Sequence, residues 1–245
     1  MFREWYEWCE PEVEVVAVEL PGRGFHSRSP AVERMETMVE RLLIGLDPLL
    51  DTPFALFGHS MGALIAFELS RALKQNGRKG PLHLFVSGMR APHLRGEYQI
   101  HSLPDRELIE ALRALNGTSA EVIGNQSLLE IFLPLLRSDL RLAETYCYTP
   151  GPPMHHPITV FSGREDITAP LERQQEWQRH TASGCTVRVL EGDHFFIQQH
   201  AHLMAASILK SLGRTSLPAE FQPAAVWGRV EEKKDEAEAT FTSVE

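Results

Sequence analysis

Phe57-Gly58-His59-Ser60-Met61-Gly62-Ala63 is the segment that indicates the fold of this chain most clearly. It follows the apolar run 54–57, which predicts a short buried strand, and it leads into segment 63–69, which predicts a helix. A serine at such a strand-to-helix turn matches the Gly-x-Ser-x-Gly elbow, where the serine is a candidate nucleophile on strained backbone. We expect glycine to be needed at Gly58 and Gly62 because strand and helix must pack closely there.

The composition is that of an ordinary soluble globular protein. The chain has 245 residues, 43% of them hydrophobic and 23% charged, so it can bury a sizeable core. Its net charge of -9 argues against a nucleic-acid partner and against a basic membrane-binding face. No signal-peptide pattern or membrane-spanning apolar run occurs. The three scattered cysteines are typical of reduced thiols, and we therefore expect a cytoplasmic protein.

Strands and helices alternate along the chain, and this order predicts an α/β protein with a mostly parallel sheet flanked by helices. The predicted strands are 13–19, 54–57, 82–88, 157–163 and 186–190, and the helices between and after them are 31–50, 63–75, 171–180 and 197–212. Residues 1–90 and 151–213 are expected to form this core. Residues 214–245 lose periodicity and are rich in charge, which predicts a mobile acidic tail.

A helical insertion is predicted at residues 91–150, between two strands of the sheet. Helical patterns cover 104–112 and 128–146, and no convincing strand lies between Ala91 and Thr149. The simplest interpretation is a lid over a pocket. A helical layer that only packs against the core is the alternative.

Ser60, Asp166 and His194 each follow a predicted strand. Because the carboxyl ends of parallel strands meet at one edge of a sheet, we expect these residues to lie together. A serine hydroxyl needs a base within hydrogen-bond reach, which His194 can supply, and Asp166 can orient the imidazole. The backbone N–H of Met61 would be one donor to an oxyanion.

Other interpretations of these residues stay open. Ser60 could be a small turn residue, and Glu165 or Asp193 could supply the acid instead of Asp166. The side chain of His59 is expected to point away from that of Ser60. Paired histidines suggest a metal site, but no acids or cysteines accompany them, so no metal is expected. These pairs are His155 with His156 and His200 with His202.

Several stretches together resemble the type II thioesterases, stand-alone α/β hydrolases that serve polyketide and nonribosomal peptide synthases, and the related thioesterase of fatty acid synthase. The matching segments are Leu20-Pro21-Gly22-Arg23-Gly24, Phe54 to Leu69, Val86-Ser87-Gly88 with Arg90-Ala91-Pro92-His93, Glu144-Thr145-Tyr146 with Pro150-Gly151-Pro152-Pro153, and Gly192-Asp193-His194-Phe195-Phe196. The match is collinear over roughly residues 1 to 212.

The resemblance implies an α/β-hydrolase fold and the hydrolysis of acyl thioesters on the phosphopantetheine arm of an acyl or peptidyl carrier protein. It implies Ser60, Asp166 and His194 as the triad, a lid that shapes the acyl chamber, and no cofactor. A monomer is expected. Within enzymes the alternative is a carboxylesterase or lipase of the same fold.

The family's pattern also contains an apolar strand and a glycine-rich loop ahead of the region matching Phe2 to Trp5, and this sequence does not show them. That loop supplies the second oxyanion N–H, and its loss would cost ~10²- to 10³-fold in rate. We therefore expect Met1 to be a truncated or mispredicted start. If Met1 is the true start, the alternative is a catalytically impaired carrier-binding protein.

Overall fold

The computed structural model describes residues 5–9, 11–96, 99–114, 122 and 124–214. Its sheet has four parallel strands that pair in sequence order: β1 (Leu56–His59), β2 (Leu84–Ser87), β3 (Ile158–Gly163) and β4 (Cys185–Leu190). Each connection between parallel neighbours must cross a face of the sheet. The carboxyl ends of all four strands therefore lie at one edge.

Helices lie ahead of β1, in the connections between the strands and after β4. They are α1 (Trp5–Cys9), α2 (Met35–Leu46), α3 (Met61–Gln75), α4 (Asp105–Ala114), α5 (Gln126–Glu144), α6 (Leu171–Gln175), α7 (Phe196–Gln199) and α8 (Ala201–Ser211), with short 3₁₀ turns at Gly24–His26, Asp47–Leu49 and Glu176–His180. The predicted helices are confirmed with small shifts at their ends. The predicted last helix is divided at His200. None of the described helices is long and apolar enough to cross a membrane.

The core lies on both faces of the sheet. Alternate residues of β2 and β3 divide between them, because successive side chains in a strand point to opposite faces. Leu84 and Val160 pack with α2 and α3 on one face, whereas Phe85 and Phe161 pack with α1 and α8 on the other. Strands covered on both faces read as continuous apolar runs, which is why β2 and β3 were recognisable in the sequence.

The predicted strand at 13–19 is wrong. Residues 13–20 form neither helix nor strand, and Val16 and Val18 are 50% and 47% exposed. β-branched side chains favour a strand only where a neighbouring strand completes the hydrogen-bonded ladder. Among the described residues β1 pairs with β2 alone, so segment 13–19 has no such neighbour.

Between β2 and β3 the described residues form helices α4 and α5 and no strand. α5 is tied to the segment ahead of α4, because the Glu144 carboxylate accepts hydrogen bonds from the backbone N–H groups of Ile100 and His101. Leu108 and Leu112 of α4 pack with Leu133 of α5 in a small cluster of their own. The lid role of 91–150 and the domain boundaries stay predictions, and the predicted tail lies, from residue 215 on, outside the described residues.

Candidate active site

Ser60 stands at the turn from β1 into α3 in a strained conformation. Its φ is 53° and its ψ is -126°, and it is the only residue other than glycine in the described part of the chain with a positive φ. Such a conformation costs on the order of 1–3 kcal/mol and persists only where the surroundings impose it. Here the Ser60 N–H donates to the carbonyl of Ser87 in β2 at 2.8 Å, which holds the turn to the sheet.

The two glycines beside Ser60 have different roles. A Cβ added at Gly58 would come within 2.1 Å of the Gly62 carbonyl oxygen and within 2.6 Å of the Ala63 nitrogen. A Cβ at Gly62 would meet no described atom within 4 Å outside its own helix backbone. Close packing therefore leaves no room for a side chain at Gly58, whereas Gly62 contributes its backbone, which is what approaches Gly58.

The turns after β3 and β4 are hydrogen-bonded to each other. Arg164 N–H donates to the Leu190 carbonyl at 2.8 Å, and Glu165 N–H donates to the Gly192 carbonyl at 3.0 Å. Gly163 allows this approach, since a Cβ there would lie 2.7 Å from the Gly192 carbonyl oxygen. As a result Asp166 and His194, which follow these turns, face each other.

Asp166 and His194 are joined by a hydrogen bond. His194 Nδ1 lies 2.9 Å from Asp166 Oδ2, and the Asp166 side chain is fully shielded from solvent. The two other candidate acids differ from it: Glu165 is exposed, and Asp193 accepts the Phe195 backbone N–H. Asp166 is thus the acid that contacts His194.

Thr168 completes the binding of the Asp166 carboxylate. Its hydroxyl donates to Asp166 Oδ1 at 2.6 Å and lies 3.0 Å from His194 Nδ1. The backbone N–H groups of Thr168 and Ala169 also donate to Oδ1. Burial raises the pKa of Asp166, but the hydrogen bonds and charge of His194 and the hydrogen bonds of Thr168 outweigh it, so the pKa is lowered overall.

Sequence reasoning missed Thr168. A signal exists in principle, because an aspartate often accepts hydrogen bonds from the backbone two residues further on. The same pattern occurs in many ordinary turns, so the sequence alone does not connect it to His194.

Ser60 and His194, both within the described chain, are not joined by a hydrogen bond in this structure. Catalytic hydrogen bonds of this kind often tighten only when substrate is bound. The ring of His59 lies beside that of His194, with 4.9 Å between their centroids. This contact is not predictable from the sequence pattern. Met61 begins α3, where the first backbone N–H groups have no partner within the helix and can receive a negatively charged oxygen.

A cavity of about 510 Å³ lies between α4 and α5. The described residues that line it include the apolar Ile109 and Leu133 and the charged Glu33 and Arg137. Neither Ser60, Asp166 nor His194 is among them. The described residues contain no group of three or more side chains placed to hold a metal ion.

Residues 1–213 match the family model described as a thioesterase domain. The chain belongs to the thioesterase family. This thioesterase is 36% identical, over 212 residues, to the gramicidin S biosynthesis protein GrsT of Aneurinibacillus migulanus, and the match covers 86% of this chain and 83% of the relative.

Solved structures agree. The RedJ thioesterase of the prodiginine pathway in Streptomyces coelicolor is 40% identical, with a TM-score of 0.80, over 86% of this chain and 80% of RedJ. The type II thioesterase BorB of the borrelidin cluster is 33% identical, with a TM-score of 0.79, over 86% of both chains. This thioesterase therefore has the α/β-hydrolase fold, and it is a thioester hydrolase by family.

Proposed function

We propose that this thioesterase removes acyl groups held as thioesters on the phosphopantetheine arm of an acyl or peptidyl carrier protein. Ser60 is the nucleophile, His194 the general base and Asp166 the residue that orients it. The observation that carries the proposal is the 2.9 Å hydrogen bond between Asp166 and His194 at the sheet edge where the strained Ser60 also stands.

The reaction has two halves. His194 takes the Ser60 proton as the hydroxyl oxygen attacks the thioester carbonyl carbon, and the Met61 N–H stabilises the oxyanion that forms. The C–S bond then breaks, the imidazolium returns the proton to the departing sulfur, and the acyl group stays on Ser60. Water then attacks this ester while His194 takes a proton from the water. The bond between Ser60 Oγ and the acyl carbon breaks, and His194 returns the proton to Oγ, which releases the carboxylic acid and restores the hydroxyl.

Asp166 is suited to its role because its carboxylate stays ionised. The proton on His194 Nδ1 is directed to Asp166 Oδ2, which leaves Nε2 to exchange a proton with Ser60. A carboxylate at this position also stabilises the imidazolium that forms in each half of the reaction.

The choice of a carrier-bound substrate draws on relatives whose names place them in gramicidin S, prodiginine and borrelidin biosynthesis. We infer an editing or release role in polyketide, nonribosomal peptide or fatty acid synthesis. Helices α4 and α5 would form the lid that shapes the acyl chamber. The free thiols of Cys9, Cys147 and Cys185 fit a cytoplasmic location, where such synthases work.

A substrate panel tests the proposal. Acyl groups of equal length are offered as carrier-protein thioesters and as oxygen esters, and hydrolysis is followed by mass spectrometry of the carrier. We expect the carrier thioesters to be preferred and Ser60→Ala to abolish turnover. A clear preference for oxygen esters would instead indicate a carboxylesterase of the same fold.

A fluorophosphonate probe tests the nucleophile without reference to any substrate. We expect it to label Ser60, with the labelled peptide located by mass spectrometry, and labelling to be lost in His194→Gln. An unlabelled Ser60 in the folded protein would favour a binding protein without catalytic activity.

A further inference from the structure

His59 has a position that the proposed reaction does not explain. Its ring lies 4.9 Å from that of His194 and 5.9 Å from that of Phe196, between centroids, and its Nε2 is shut off from solvent. The residue immediately before the nucleophile therefore forms part of the wall against which the catalytic imidazole packs.

Ser87 holds this ring in place. His59 Nδ1 lies 2.9 Å from the hydroxyl oxygen of Ser87, a fully buried residue of β2. The carbonyl of the same Ser87 accepts the Ser60 backbone N–H. One residue of β2 thus fixes both the backbone of the nucleophile and the side chain next to it.

Gly88 makes room for the two rings. Its φ is +57°, and a Cβ there would come within 2.8 Å of His59 Cε1 and 3.3 Å of His194 Cε1. Both imidazoles therefore converge on the backbone at the end of β2, and any side chain at position 88 would push them away.

We propose that His59 is a positioning residue: anchored by Ser87, its ring holds the catalytic imidazole of His194 in the orientation that bonds to Asp166. This inference rests on the proposed function only in taking His194 as the base.

The electrostatic surroundings of His59 keep its ring uncharged. Burial and the neighbouring His194 lower the pKa of His59 to about 3, although Asp166 and the His194 backbone favour its protonated form. His59 therefore adds no positive charge beside His194 when that ring becomes an imidazolium. The titratable groups at this place are His59, His194 and Asp166, and Asp166 contacts His194.

Three variants distinguish the packing of the His59 ring against His194 from its hydrogen bond to Ser87. His59→Asn keeps a polar group near Ser87 but opens the wall, His59→Phe keeps an aromatic wall without the anchor, and Ser87→Ala removes the anchor alone. The readouts are kcat and KM for thioester hydrolysis and the rate at which a fluorophosphonate labels Ser60. His83→Phe, which changes another buried histidine bonded to a hydroxyl of the sheet, is the matched control.

We expect His59→Asn to lower kcat and the labelling rate on the order of 10- to 100-fold with KM nearly unchanged, because small misplacements of a catalytic group have effects of this size. His59→Phe and Ser87→Ala should lose less, and their combination no more than His59→Phe alone. His83→Phe should keep the parental rate.

The outcomes distinguish this inference from the proposed function. If His194→Gln still labels, the proposed triad itself fails. If His194→Gln loses labelling while the His59 and Ser87 variants keep the parental rate, the positioning role is overturned and the triad stands. An equal rate loss in His59→Asn and His83→Phe would also overturn it, because both losses would then reflect general damage to the fold.

Discussion

Asp166 shows how a buried carboxylate is kept ionised at the scale of a single residue. Its Oδ1 accepts from the Thr168 hydroxyl and from two backbone N–H groups, and its Oδ2 faces His194. These bonds outweigh the burial that raises its pKa. The carboxylate proposed to orient His194 therefore has its hydrogen-bond partners in place before any substrate binds.

Asp166→Asn should lower kcat by about 10⁴-fold, because an amide cannot stabilise the imidazolium and favours the wrong tautomer of His194. The measurement is kcat for thioester hydrolysis together with the urea midpoint of unfolding. A variant that remains folded and loses less than about tenfold would assign the acid role to another residue.

Thr168→Val should lower kcat by about tenfold or more, because a hydrogen bond to a charged group is worth ~1.5–3 kcal/mol. With the hydroxyl donor gone, the pKa of Asp166 rises and its hold on His194 weakens. Thr168→Ser, which keeps the hydroxyl, is the control and should retain most of the activity. Equal losses in both variants would mean that the threonine methyl group, rather than its hydroxyl, matters.

Thr168 also marks the limit of prediction at this scale. Ser60, Asp166 and His194 could be selected because each follows a strand, which is a property of the sequence pattern. Thr168 and His59 reach His194 through contacts between separate turns, and those contacts depend on how the turns after β3 and β4 and the elbow after β1 come together.

At the scale of elements, the elbow between β1 and α3 depends on one glycine more than on the other. Gly58→Ala should destabilise the fold by more than about 3 kcal/mol, because its Cβ would meet the backbone of α3, which cannot move without displacing the helix. Urea unfolding, followed by circular dichroism, measures this.

Gly62→Ala is the matched control for that prediction. It lies in the first turn of α3, where space is open and alanine favours the helix, so its free energy of unfolding should stay within about 1 kcal/mol of the parent. If both substitutions destabilise equally, the close approach at Gly58 is not what limits this turn.

Element prediction succeeded where the signal was local. The prediction of α3 depended on its own apolar periodicity, and that of β2 and β3 depended on their continuous apolar runs. Segment 13–19 has the composition of a strand, but a strand also needs a neighbour with which to exchange backbone hydrogen bonds, and no described strand lies beside it. Amino-acid composition reflects side-chain preference for a strand and does not show whether a neighbouring strand is present.

At the scale of the whole molecule, the parallel sheet brings distant parts of the chain to one edge, and the same packing buries histidines on its strands and in its loops. His83 stacks on Phe85 at 4.1 Å between ring centroids and bonds to Thr159, while His180 packs against Phe67 and Trp177. Burial, followed by the charge of neighbouring groups, lowers the pKa of His83 and His180 to about 4 and that of His59 to about 3.

These lowered pKa values predict how stability depends on pH. At pH values above the ordinary histidine pKa of 6.5 both folded and unfolded chains hold these rings neutral, so they contribute nothing to the pH dependence. As the pH falls below 6.5, these histidines become protonated in the unfolded chain. In the folded chain His83 and His180 stay unprotonated until about pH 4. The free energy of unfolding should therefore fall by roughly 4 to 6 kcal/mol between pH 7.5 and pH 5, about 2 kcal/mol for each ring.

Urea unfolding at pH 7.5, 6.5, 5.5 and 5 measures this fall. His83→Gln keeps a hydrogen-bonding group but cannot take a proton in this range, so its loss between pH 7.5 and pH 5 should be smaller than the parent's by about 1 kcal/mol or more. His26→Gln, on an exposed turn, should leave the pH dependence of the parent unchanged. If the parent shows no fall over this interval, the three histidines are not held neutral by the fold, and the uncharged wall inferred at His59 loses its electrostatic support.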